Sequence, residues 1–123
     1  MTRHELEAFF QSLTAGEAEI LDHRLEVGDA IAANLTDSED TGDYSREEFE
    51  DVAEFLLCRA YTTAAQHPAV AALVLEESVN GSAWCGTMSQ ESEQKQAAAR
   101  RVARSLSAKV SKFLGVECDC PEY

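Results

Sequence analysis

Apolar residues recur along this chain at intervals of three and four, and no stretch alternates apolar with polar positions as a half-buried strand does. The pattern predicts an all-α protein. Leu6, Phe9, Phe10 and Leu13 form the apolar stripe of a short first helix over residues 3–12. Thr14, followed three residues later by Glu17, has the capping-box pattern and opens a second helix, expected from Ala15 to Leu35. Thr36 to Tyr44, rich in Thr, Asp, Ser and Gly, reads as a loop. Ser45 with Glu48 repeats the capping pattern, and the helix it starts is expected to run to about Gln66. From Phe55 to Tyr61 that helix is apolar on nearly all sides, which suits a central buried element.

His67-Pro68 breaks the pattern, because proline is at home in the first helical turn and disfavours α geometry in the residue before it. The run Ala69 to Leu75 fits a short buried helix or a strand by length alone, and the helical surroundings favour the helix. Asn80-Gly81-Ser82 reads as a turn, and Trp84 to Thr87 as an irregular link. A last long helix is expected from near Gln90, with Glu91 and Glu93 in its first turn, to Leu114, where Gly115 is the usual residue beyond a helix end. Val116 to Tyr123 is a short tail. A chain of 123 residues has the length of one domain with one core. The expectation is a single bundle of four to five helices over residues 1–123.

Composition narrows the class. Hydrophobic content of 45% with only two prolines and six glycines argues for a folded chain. The longest apolar run, Ala69 to Leu75, is far short of the roughly 20 residues of a membrane span, and Met1-Thr2-Arg3-His4-Glu5 lacks the apolar segment of an export signal. The expectation is a cytoplasmic protein that does not enter a membrane.

Charge changes the picture more. The net charge is −13, and residues 1–60 hold 16 Asp and Glu against 4 Lys and Arg, while residues 61–123 hold 7 against 6. At about 100° per residue, Leu21, Leu25, Gly28, Ile31, Ala32 and Leu35 share one side of the second helix, and Glu19, Asp22, Glu26 and Asp29 fall together on the other. In the third helix Phe49, Val52, Ala53, Leu56 and Ala60 share a face, with Glu47, Glu50, Asp51 and Glu54 on the other side. Asp37, Glu39, Asp40 and Asp43 lie in the loop between the two stripes. Carboxylates at such spacing repel by a few tenths of a kcal/mol per pair, and a merely solvated face usually mixes in Lys and Arg. The field opposes direct binding to nucleic acid, which relies on Lys and Arg, and favours a basic protein partner.

The last helix carries Val102, Leu106, Val110 and Phe113 on its core face and Arg100, Arg101, Arg104 and Lys112 on the far side. Three readings are open for this basic face: pairing with the chain's own acidic helices, pairing with a second copy in a homodimer, or contact with an acidic ligand. Arg24 falls near the apolar side of its helix, where it would meet a buried carbonyl or acid, or take part in a dimer contact.

Candidate chemistry is sparse. Cys85, Cys118 and Cys120, with Cys58 or His67, would make a tetrahedral zinc set, although paired C-x-x-C spacing is missing. A bridge from Cys85 to one tail cysteine and free thiols are the other readings, and in the third helix Cys58 reads as a small hydrophobe. Glu19, Asp22 and His23 echo helical metal sites, but the second Glu-x-x-His of a di-iron bundle is absent. The pairs Glu19 with Asp22 and Glu47 with Glu50 echo the paired acids of all-α nucleotide pyrophosphatases that hold magnesium, without a nearby Lys or Arg to clamp phosphate. His4, His23 and His67 are too dispersed for a triad, and no Gly-rich phosphate loop is present. No catalytic residue, cofactor or metal is therefore assigned.

In type, the acidic helical stripes resemble the small, acidic, non-enzymatic proteins of phages and mobile elements, anti-CRISPR-like, that occupy the basic nucleic-acid channels of host defence complexes. The expected function is a nucleic-acid mimic that docks a basic, nucleic-acid-binding protein through the twelve acids of the two stripes and the loop. The alternative is a small magnesium-dependent nucleotide hydrolase.

Overall fold

The computed structural model describes residues 1–37, 43–80 and 93–116, all helical apart from short connections and with no strand among the described residues. Seven helices are described: α1 (Arg3–Gln11), α2 (Ala15–Leu25), α3 (Gly28–Thr36), α4 (Arg46–Leu57), α5 (Tyr61–Ala65), α6 (Pro68–Asn80) and α7 (Glu93–Leu114). The number exceeds the four to five expected because two long segments are each broken in two.

The local start signals act as their chemistry requires. Thr14 and Glu17 form a complete capping box on α2, and Thr2 with Glu5 forms another on α1. At α4 the Ser45 hydroxyl accepts from the Glu48 backbone N–H at 3.2 Å. There the Ser45 hydroxyl donates to the Glu48 carboxylate at 3.3 Å, leaving the box half made. Gly115, at φ 71°, ends α7: its own N–H and that of Val116 both donate to the Ser111 carbonyl.

The two breaks were not expected. Helix α2 stops at Leu25, and Val27 (φ −97°, ψ 42°) turns the chain into α3. The turn lets Gly28 lie on α4, where a Cβ in its place would meet the Ala53 Cβ at 3.0 Å. Helix α4 ends at Leu57 because Arg59 takes the left-handed conformation, φ 60°. The Arg59 N–H donates to Leu56 O at 3.1 Å and the Ala60 N–H to Phe55 O at 2.7 Å, the paired bonds of a Schellman end with arginine in the place of glycine. Cys58, expected as a small core hydrophobe, stands at this helix end and is exposed.

One hydrophobic core joins all seven helices. Its axis is formed by α4, through Phe49, Val52, Ala53 and Leu56, and by α6, through Val70, Ala71, Val74, Leu75 and Val79. Helix α6 packs on α2, α3, α4, α5 and α7, and so takes the central position expected of the segment around Phe55 to Tyr61. It is also longer than the expected Ala69 to Leu75. Helix α1 packs on α5 and places Phe9 against Phe113 of α7, with ring centroids 4.6 Å apart and planes 12° apart. Among the described residues no helix is long and apolar enough to cross a membrane.

Candidate functional site

The break between α2 and α3 and the packing of α3 on α4 create an acidic concavity on the described surface. Because Gly28 lets α3 approach Ala53 closely, the α2–α3 corner and the outer side of α4 form the walls of an open groove of about 410 Å³. Glu26 and Asp29 line one wall and Glu50 and Glu54 the other, with Leu25, Gly28 and Leu57 between them. Glu26 also lines a second groove, which runs along α2 past Asp22, His23 and Glu19. The two grooves meet at Glu26, so six of the acids form one continuous track.

The two sequence stripes thus converge in space, but not as two parallel faces. Asp29 lies on α3, turned away from the line of Glu19, Asp22 and Glu26 by the break at Val27. Glu47 and Asp51 are exposed on α4 outside both grooves. Asp37 and Asp43 are exposed at the two ends of the loop, and Glu39 and Asp40 lie outside the described residues.

Some of this charge is used within the fold. Asp22 is held by Arg59, Nη2 to Oδ1 at 2.8 Å, and the same guanidinium donates through Nη1 to Leu56 O at 3.0 Å and lies 4.4 Å from the centre of the Phe10 ring. Asp22 therefore also fastens α2 to the α4–α5 junction while it lines the groove. Glu50 is paired along its own helix with Arg46 at 3.1 Å, and His23 Nδ1 stands 4.0 Å from Glu26. Among the described residues Glu19, Asp29 and Glu54 have no ion-pair partner.

The basic α7 reaches an acidic helix through one lysine and one glutamate outside the expected sets. Lys109 and Glu17 make the contact, Nζ to Oε1 at 2.7 Å, with Glu17 only 1% exposed. The Ser105 hydroxyl donates to Oε2 at 2.7 Å and the Thr14 N–H to Oε1 at 2.8 Å, while Lys109 also donates to Ser12 O at 2.8 Å. Burial works to raise the Glu17 pKa, but these donors, Lys109 foremost, outweigh it and hold the carboxyl at about 2 instead of 4.5. Glu17 doubles as the capping residue of α2, so one side chain both starts that helix and fastens it to α7. Sequence reasoning found the cap and missed the tether, because a carboxylate in the first turn gives no sign of a lysine 92 residues away. Arg101, Arg104 and Lys112 are exposed, and Arg24 is buried at 2% exposure.

Burial pushes the Glu77 carboxyl on α6 upward against a hydrogen bond from Asn34 at 3.3 Å, with neighbouring Glu76 adding to the rise. It belongs to the α3–α6 contact and not to the track. His67, exposed ahead of Pro68, accepts the Ala71 N–H at its carbonyl, 2.9 Å. No three His, Cys, Asp or Glu side chains among the described residues are arranged to hold a metal ion. Cys85, Cys118 and Cys120 lie outside the described residues.

No protein-family model matches the chain, and neither a curated protein nor a solved structure does.

Proposed function

We propose that the chain is a non-enzymatic interaction protein whose acidic track docks a basic, nucleic-acid-binding protein and blocks the site at which that protein holds nucleic acid. The observation that carries this reading is the groove of Glu26, Asp29, Glu50 and Glu54, four carboxylates drawn from the α2–α3 corner and α4 with no lysine or arginine in the lining. A surface shaped only by solubility gains nothing from gathering like charges in a concavity, since it forgoes the ion pairs that mixed faces make. A row of Lys and Arg on a partner would meet Glu19, Glu26, Asp29 and Glu54 with little prior pairing to break. Asp37, Asp43, Glu47 and Asp51 widen the field, and Glu39 and Asp40 belong to the same stretch of sequence. Such a field speeds encounter by steering, and occupation of a basic channel then excludes phosphate backbones.

The test is affinity capture from a cell lysate at low and high salt, with the wild type beside the triple variant Glu26→Lys, Asp29→Lys and Glu54→Lys. The expected result is a nucleic-acid-binding protein retained at low salt, released at high salt, displaced by duplex DNA or RNA, and lost with the variant. Retention of the same protein by the reversed variant sinks the proposal.

The groove also supports a second reading, a magnesium-dependent nucleotide hydrolase, since that activity requires acids facing a cleft. Its lining holds no cation for a phosphate. Metal-dependent hydrolysis across a nucleotide panel, abolished by Glu26→Gln with Glu50→Gln, would establish this reading in place of the first.

A further inference from the structure

Helix α7 holds six of the chain's ten Lys and Arg, and one of them, Lys109, is held by Glu17 within the fold. Arg101, Arg104 and Lys112 are exposed and have no ion pair among the described residues. With the small, exposed Ala108 between them they are spaced three, four and four, which puts all four on one outer face of the helix. This row is the counterpart of the acidic track, where Glu19, Asp29 and Glu54 are likewise exposed and without an ion pair. The two rows flank a single helix contact. Helix α7 packs on α2, with Lys109 on Glu17 and with Val102 so near Gly16 that a Cβ there would stand 3.5 Å from it. On another side of the same α2 lies the groove of Glu19, Asp22, His23 and Glu26.

We infer that the chain associates with itself as a two-fold dimer, in which the face of Arg101, Arg104 and Lys112 of each copy lies on the acidic track of the other. A two-fold interface must be complementary to itself, and a surface with a basic row beside an acidic row meets that condition. Rotation sets base on acid twice. The two α7 helices then run along opposite edges of the interface with both α2 helices between them, so their like charges stay apart. Cations already beside the track are held by its own acids, Arg46 by Glu50 and Arg59 by Asp22, which leaves Glu19, Asp29 and Glu54 for the incoming row. Other occupants answer only one of the two rows. A phosphate backbone drawn to α7 meets the field of a chain with net charge −13, and a basic protein on the track leaves α7 facing it with like charge. A second copy neutralises both. The inference rests on the docking proposal's reading of the track as a seat for cations, and it adds regulation of that site: the dimer covers the track, so a basic partner must displace the second copy.

Sedimentation velocity on the purified full chain, without any partner and at low and high salt, tests it, with circular dichroism to verify that each variant folds. The wild type is expected to be a dimer at low salt and a monomer at high salt. Arg101→Glu with Arg104→Glu is expected to raise the dimer dissociation constant by on the order of a hundredfold, and so is Glu26→Lys with Asp29→Lys and Glu54→Lys. Mixed in equal amounts, these two variants are expected to form a heterodimer, because each reversed row then meets a row of opposite sign. If the triple reversal does not fold, Glu19→Lys, on α2 and outside the α3–α4 contact, takes its place. A wild type that stays monomeric at low salt and millimolar concentration overturns the inference. So does a dimer indifferent to both reversals, or a pair of folded variants that stay apart on mixing. Failure here is distinct from failure of the docking proposal: the α7 reversal leaves the track intact, so it abolishes the dimer and still captures a basic partner, while a wild type that captures none can still dimerise.

Discussion

Arg59 occupies a backbone conformation that costs a non-glycine residue about 1 kcal/mol. Its side chain offsets that cost three ways, by bonding the last carbonyls of α4, pairing with Asp22 and covering Phe10. Arg59→Ala removes all three and keeps the strain, so a loss of about 2–3 kcal/mol is expected in urea denaturation. Arg59→Gly loses the same contacts but relieves the strain, and it should be more stable than Arg59→Ala by about 1 kcal/mol. Equal stability of the two variants would show that the left-handed backbone is not under strain. Glu17 makes a second residue-scale prediction. Its folded pKa lies below its unfolded value, so its stabilisation is complete above pH 4.5 and is lost as pH falls toward 2. The linkage amounts to about 3 kcal/mol. The stability gap between the wild type and Glu17→Gln should therefore be widest near neutral pH and narrow steadily from about pH 5 downward, as read by denaturation at a series of pH values. A gap independent of pH would mean that the carboxylate is not specifically stabilised in the fold.

At the scale of elements, Gly28 sets the distance between α3 and α4, and hence the width of the acidic groove. Gly28→Val places a branched side chain where even a Cβ stands 3.0 Å from the Ala53 Cβ, and overpacking of this kind costs about 1–3 kcal/mol. Ala53→Gly costs about 1 kcal/mol alone, from its helix interior, but should restore part of the stability of Gly28→Val. Thermal melts of the four proteins give the coupling, and simple additivity would deny the close approach. Helix starts were legible because a cap is a local bargain between a side chain and the backbone three residues on, as Thr14 and Glu17 illustrate. The breaks at Val27 and Arg59 were not, since apolar spacing carries on through both positions and neither holds a proline. What ends α4 is a guanidinium reaching another helix, and nothing local to Arg59 specifies Asp22.

For the whole molecule, the acidic track implies a conflict between stability and binding. Crowded like charges strain the native state, and screening relieves them. Replacing Glu19, Asp29 and Glu54 together by Gln should raise stability by about 0.5–1.5 kcal/mol while weakening capture of a basic partner. Added salt should likewise raise the melting temperature of the wild type more than that of the triple variant. A triple variant that is less stable would show that these carboxylates have partners in solution and are not available for docking.

The sequence by itself determined the helical class, the capped starts of α2 and α4, the end of α7 at Gly115 and the imbalance of charge, because periodicity, caps and net charge depend on residues close together in the chain. Only the tertiary structure decided which charges remain available and which surfaces face one another. Asp22 and Glu17 each meet a cation more than thirty residues away, and Glu26 and Asp29 come beside Glu50 and Glu54 only because Gly28 lets two helices touch. Contacts of that kind follow from how the core packs, and the spacing of residues along a single helix does not encode them.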